Sequence, residues 1–191
     1  MEVSAEKATL RSEIRSLRRN ISEEERIRSS LAVRDRLLLL PKLTEAEYVL
    51  AYMPMKYELD ILPSVEALRS LNKKIVFPLC TENGGLKLYL PKGDNGFTVG
   101  SYGILEPDTR TAEEIPYDRI DAVILPAIAF DRHLDRLGQG GGYYDRLLSK
   151  TSCFTVAVGF DCQLVERVPT EQNDRSVDAI VTPSETIVSD M

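Results

Sequence analysis

The chain predicts an α/β fold with three layers, α/β/α, a mostly parallel central sheet, and an N-terminal helical pair packed on it. Four short runs, EYVLAYM (47–53), KIVFPL (74–79), DAVILPAIAF (121–130) and FTVAVGF (154–160), are nearly continuous in apolar residues and rich in β-branched and aromatic ones. Such runs fit strands buried on both faces. Helical stretches near 61–72 and 143–150 lie among them, and strands alternating with helices build a parallel sheet covered on both sides. At 191 residues the chain is long enough to bury one core and short enough for one domain, so 1–191 is expected to be a single domain.

The elements follow in order. Residues near 4–20 read as an amphipathic helix, with Leu10, Ile14, Leu17 and Ile21 on one apolar stripe and Lys7, Arg11 and Arg18 on a neighbouring one. A second helix starts at SEEE, where Ser22 and Glu25 have the spacing of a capping box and the acidic first turn suits the helix dipole. It is expected to run to about Leu40, before Pro41. DAIVT (178–182) reads as a last strand, and LKLYL (86–90) alternates like a strand near an edge. PKGDNGFTVGSYGILEPDTR (91–110) is turn-rich and reads as a long loop or flap.

Composition narrows the classes of function. Hydrophobic residues make 43% and charged residues 28% of the chain, which is globular rather than disordered. The net charge of -6 argues against a nucleic-acid partner. Three scattered cysteines suit neither a disulfide framework nor a zinc site. The charged N-terminus lacks the apolar core of a secretory signal, and no run is long enough to span a bilayer, so a cytoplasmic protein without a membrane partner is expected.

RLGQGGGYYDRLL (136–148) raises the sharpest question. Gly138, Gly140, Gly141 and Gly142 crowd into five positions after a buried-looking strand, and helical character resumes at once. Glycine reaches positive φ and admits close approach; consecutive N–H groups can then form an anion nest, helped by a helix beginning near Gly142 and by the charge of Arg136. The sequence is neither a Walker loop nor GxGxxG. From the residues alone a phosphate cradle and a plain surface turn both stay open. Lys7 and Arg11, at i and i+4, equally suit a nucleotide contact or a solvated basic face.

Taken with its neighbours, PAIAFDRHLDRLGQGGGYYDRLL (126–148) resembles the signature of 5-formyltetrahydrofolate cyclo-ligases, also called methenyltetrahydrofolate synthetases. Lys7 and Arg11 match the family's K-x-x-x-R, Glu58 a glutamate after the first strand, Tyr102–Pro107 an aromatic-G-I-x-x-P element, and Asn173-Asp174 with Val177-Asp178 a late pair of motifs. The resemblance implies an ATP- and Mg2+-dependent cyclisation of 5-formyltetrahydrofolate to 5,10-methenyltetrahydrofolate, with release of ADP and phosphate. The formyl oxygen is phosphorylated, and N10 then attacks the formyl carbon.

The resemblance also implies roles. Tyr143, Glu58 and Arg136 stand as catalytic residues. Lys7, Arg11, Arg136, Leu137, Gly138, Gln139, Gly140, Gly141, Gly142, Tyr143 and Tyr144 stand around ATP, with the Tyr144 ring turned into the core. Met53, Glu58, Tyr102, Gly140 and Tyr143 contact the folate, and Asp145 and Asp174 hold the metal. The partners expected are these two small molecules, acting on a monomer. Phe130 and Asp131 shape the loop rather than touch substrate, and His133 is read as exposed and not catalytic. This chain departs from the pattern at Gln139 and Gly141, where some relatives are basic, at Leu134, where glycine is common, and at Asn173, where histidine often stands. Two other readings are an enzyme of similar layout acting on a sugar phosphate or CoA thioester, and a non-catalytic folate- or nucleotide-binding module.

Overall fold

Alternation along five central strands decides the architecture. The computed structural model describes residues 2–81, 84–93, 96–100 and 103–189. Strands β1 (Tyr48–Leu50), β2 (Lys74–Cys80), β7 (Ala122–Pro126), β10 (Phe154–Val158) and β11 (Ala179–Val181) run parallel in the order β11-β10-β7-β1-β2. Val49, Phe77, Ile124, Val156 and Val181 pack on one side with Val33 and Leu37 of helix α2 (Glu23–Leu37) and Leu68 of α4 (Leu62–Ser70). Leu50, Val76, Leu125, Ala157 and Ile180 pack on the other side with Leu147 of α5 (Tyr143–Leu148). Both faces are therefore buried, and the predicted three layers are present. The sheet is extended by antiparallel strands: β12 (Thr186–Val188) beside β11, and β3 (Leu86–Leu90) then β6 (Glu113–Ile115) beyond β2.

A sheet apolar on both faces does not set its own register, because a one-residue slip exchanges one buried side chain for another. Carboxylates at the amino ends of two strands supply the missing constraint. Asp121 Oδ2 accepts from the backbone N–H groups of Glu47 and Tyr48 at 2.9 and 2.8 Å, fixing β1 against β7. Asp178 Oδ2 accepts from Thr155 N and Oγ1, both at 2.7 Å, fixing β10 against β11.

The helical pair differs from expectation in informative ways. Ser22 caps α2 by accepting from Glu25 N, but Glu25 turns to Arg28 and Ser29 instead of closing a capping box. α2 ends at Leu37, and Pro41 opens a further turn, α3 (Pro41–Thr44), rather than only stopping a helix. In α1 (Glu2–Arg19) the buried side chains are Lys7, Ile14 and Arg18, whereas Leu17 is 49% exposed. The helix packs on the strand Ala129–Phe130 through Leu10 and Ile14 and turns Lys7 and Arg11 toward a polar cleft, so its cationic stripe faces inward beside its apolar one. The turn-rich 91–110 stretch contains a two-stranded antiparallel ribbon, β4 (Phe97–Val99) with β5 (Leu105–Pro107), anchored by the edge-to-face contact of Phe97 with Phe77. Among the described residues no helix is long and apolar enough to cross a membrane.

Beyond β7 the chain makes a hairpin, β8 (Ala129–Phe130) with β9 (Arg136–Leu137), that aims the glycine run. Asp131 is wholly buried at its turn; Oδ1 accepts from His133 N and Asp135 N, and Oδ2 from Val168 N at 2.8 Å. His133 itself is exposed. Gln163 completes the brace, donating to Ala127 O at 2.7 Å and Ile128 O at 3.1 Å. Asp131→Ala strands three backbone donors and is expected to lower the unfolding free energy by about 3 kcal/mol. Urea denaturation checks this: the midpoint falls with an unchanged slope, and Asp131→Asn, which keeps part of the acceptor set, loses less.

Candidate active site

The glycine run forms one wall of a cleft of about 340 Å³ at the carboxyl end of β7, the position where open α/β sheets gather ligands. Gly140 and Gly142 take φ of 107° and 65°, values that strain any residue with a Cβ. Gly142 is the N-cap of α5 and accepts the helix's first hydrogen bond, from Arg146 N. Gly141 is required for space: a Cβ there would lie 2.6 Å from Cε2 of Tyr143. Leu134 holds the left-handed turn, φ 68°, that glycine would hold more cheaply, so the hairpin keeps its shape despite the substitution.

Among the described residues, cations and carboxylates line the cleft in equal number. Lys7, 6% exposed, donates to Glu171 at 2.7 Å and Asp174 at 2.6 Å. Burial pulls its ammonium pKa down, but the hydrogen bonds and charges of Asp174 and Glu171 outweigh that and leave it above its ordinary value. Arg11 Nε donates to Gly138 O at 2.9 Å, clamping the glycine loop to α1, and makes no ion pair with the described residues. Arg136, 5% exposed, pairs with Asp145 at 2.7 Å, while its Nε is buried without an acceptor. Tyr143 carries Arg146 above its ring at 5.2 Å. Burial, then Glu58, pushes the Tyr144 hydroxyl pKa upward, and the ring packs into the core on the α5 side of the sheet as expected.

The structure brings together Lys7, Arg11, Arg136, Leu137, Gly138, Gln139, Gly140, Gly141, Gly142, Tyr143, Tyr144, Asp145 and Asp174. The Leu137 side chain is buried among Ile14, Ile128 and Val168, so only its main chain is free to serve the cleft. Glu58 does not line it. Its carboxylate accepts from Met55 N at 3.1 Å and from Gln139 Nε2 at 3.0 Å, so Gln139 is its link to the glycine loop. Met53 packs against the core on the α2 and α4 side of the sheet. Tyr102 lies outside the described residues. Glu171 was not expected; the signal was its place three residues before Asp174, where Glu171 N donates to Asp174 Oδ2 and ties the two acids into one turn.

The family model described as the 5-formyltetrahydrofolate cyclo-ligase family matches residues 3–183. The chain belongs to this family. The 5-formyltetrahydrofolate cyclo-ligase of Escherichia coli (strain K12) is 33% identical over 178 residues, 90% of this chain and 97% of its own length. That of Haemophilus influenzae (strain ATCC 51907 / DSM 11121 / KW20 / Rd) is 31% identical over 172 residues, 86% of this chain and 91% of its own. The NMR structure of Aquifex aeolicus 5,10-methenyltetrahydrofolate synthetase superimposes with a TM-score of 0.85 and 34% identity, covering 95% of this chain and 92% of that one.

As a cyclo-ligase the chain concentrates its conformational demands in the glycine loop. Gly142→Val places a β-branched residue at φ 65°, with a Cβ 2.8 Å from Arg146 Nη1, a strain of about 1–3 kcal/mol. The dissociation constant for ADP is expected to rise about 10-fold, measured by titration calorimetry, with folded content unchanged by circular dichroism.

Proposed function

We propose that the chain closes the folate ring of 5-formyltetrahydrofolate with ATP at this cleft. The observation that carries the reading is the convergence of a glycine loop, three cations and two metal-competent carboxylates at one strand end, in a member of this family. The N5-formyl group is an amide, so its oxygen leaves poorly. Transfer of the γ-phosphoryl group of ATP to that oxygen forms an O–P bond as the bond to ADP breaks. N10 then attacks the formyl carbon and loses its proton to solvent, and the C–O bond breaks with its electron pair departing on inorganic phosphate. The products are 5,10-methenyltetrahydrofolate, ADP and phosphate. Little covalent work falls to the protein; positioning and charge compensation dominate.

The residues divide that work. The N–H groups of Gly138 to Gly142 and the guanidinium of Arg136 hold the phosphates, and the acceptor missing at Arg136 Nε is what an anion supplies. Arg11 braces the loop from α1, and Lys7 adds a second cation. Tyr143 and Gly140 stand next to the formyl end. Glu58, oriented by Gln139, binds the pterin, with Met53 and Tyr102 as its flanks.

Magnesium fits the lining. Among the described residues three cations face three carboxylates there, so the lining has no surplus positive charge for a triphosphate. Asp145 Oδ2 and Asp174 Oδ1 are not used by the ion pairs, and hard Mg2+ is held by one or two carboxylates plus phosphate oxygens. Bound there, it draws charge off the phosphoryl oxygens.

Mixing the protein with 5-formyltetrahydrofolate and Mg·ATP is expected to produce the near-ultraviolet absorbance of the methenyl product, and omission of ATP abolishes it. Asp145→Asn is expected to lower turnover at least about 100-fold while folate affinity, measured by fluorescence, is largely kept. Equal loss of both contradicts the metal role.

A further inference from the structure

A second groove, of about 230 Å³, opens on the other side of Gln139, which lines both hollows. Its cations are Arg15, Arg18, Arg19 and Lys56, its apolar wall includes Met55 and Tyr57, and no carboxylate among the described residues lines it. Arg18 is only 3% exposed; its Nε donates to Tyr57 O at 2.7 Å, and its Nη1 is buried without an acceptor. Arg19 and Lys56 are exposed and make no ion pair with the described residues; both sit by the Tyr57 ring, at 5.9 and 5.4 Å. Arg26 adds a further guanidinium over the same ring at 5.5 Å. Glu58 acts on Arg18 from outside the groove, but Arg19 and Lys56 have no such partner among the described residues; like charges so gathered repel one another, and a buried guanidinium nitrogen without an acceptor costs stability. Arg18 ties α1 to the loop after β1, but Arg19 and Lys56 touch only the Tyr57 ring, and the apolar anchor of α1 is Ile14 with Leu10.

We propose that this groove seats the glutamyl carboxylates of the folate substrate, with Arg18, Arg19 and Lys56 as their anion contacts and Met55 and Tyr57 against the aminobenzoyl ring. The inference rests on the cyclo-ligase reading and extends it to the non-reacting end of the substrate. That end must leave the cleft on the side away from the phosphates, and Gln139 marks the passage between the two hollows. A flat ring followed by two carboxylates matches an apolar wall followed by cations. Binding energy from this distant end raises affinity for the substrate, felt equally in the ground state and the transition state.

The test compares 5-formyltetrahydrofolate with its glutamyl diamide, which keeps the length and loses both charges. In the wild-type protein the diamide is expected to show a KM about 10-fold higher at similar kcat, the effect of a few partly exposed ion pairs. The double variant Arg19→Glu/Lys56→Glu is expected to raise the KM for the acid about 10-fold, leave the KM for the diamide within twofold, and leave the KM for ATP unchanged. Circular dichroism and the ATP constant establish that it is folded. Equal KM values for the two substrates in the wild type, or a parallel rise for both in the variant, would overturn the proposal. Turnover of neither substrate by the wild type would overturn the cyclo-ligase reading itself, and this inference with it.

Discussion

Burying cations on the inner face of the first helix constrains everything around the cleft. Lys7 and Arg18 lie almost wholly inside, and an uncompensated buried charge costs several kcal/mol. The fold meets each one differently. Lys7 has Glu171 and Asp174, which requires the 171–174 turn to close over the helix. Arg11 has the carbonyl of Gly138, which fixes the glycine loop. Arg18 has the carbonyl of Tyr57, which fixes the loop after β1. One helix thus ties together the loops that follow two neighbouring strands and a third, late in the chain.

The glycine loop adds what side chains cannot. A cleft lined, among the described residues, by as many carboxylates as cations has little net charge to offer an anion, so in the proposed reaction the main chain provides donors. Consecutive N–H groups can face inward only where the backbone crosses into positive φ, and that happens at Gly140 and Gly142. The buried pair Arg136–Asp145 then anchors the loop at both ends, since Arg136 precedes it and Asp145 lies in the helix that follows. In the proposed reaction the same two residues meet the nucleotide and the metal, so structural anchoring and chemistry share one contact.

Much of this was legible in the sequence, and the rest failed for physical reasons. Central strands were readable because residues buried on both faces write continuous apolar runs, and the family resemblance drew together motifs at 7–11, 136–145 and 174 that the fold places around one cleft. The inward face of α1 was legible in part: Leu10 and Ile14 pack inward as read, but periodicity assumes that a buried face meets only an apolar core. Here it meets a cleft, so Lys7 and Arg18 turn in and Leu17 turns out. The ribbon β4–β5 and the edge strands β6 and β12 were not predicted because three-residue strands carry too little pattern. Glu171 and the Gln139–Glu58 contact join residues far apart in sequence, which no local motif records.

The most direct measurement of the main-chain cradle is amide hydrogen exchange across residues 138–143, with and without Mg·ADP. Exchange in that segment is predicted to slow by at least about tenfold when nucleotide binds, because each N–H gains an acceptor. Unchanged exchange there, at nucleotide concentrations where calorimetry shows a filled site, would contradict the claim that the glycine backbone holds the phosphates.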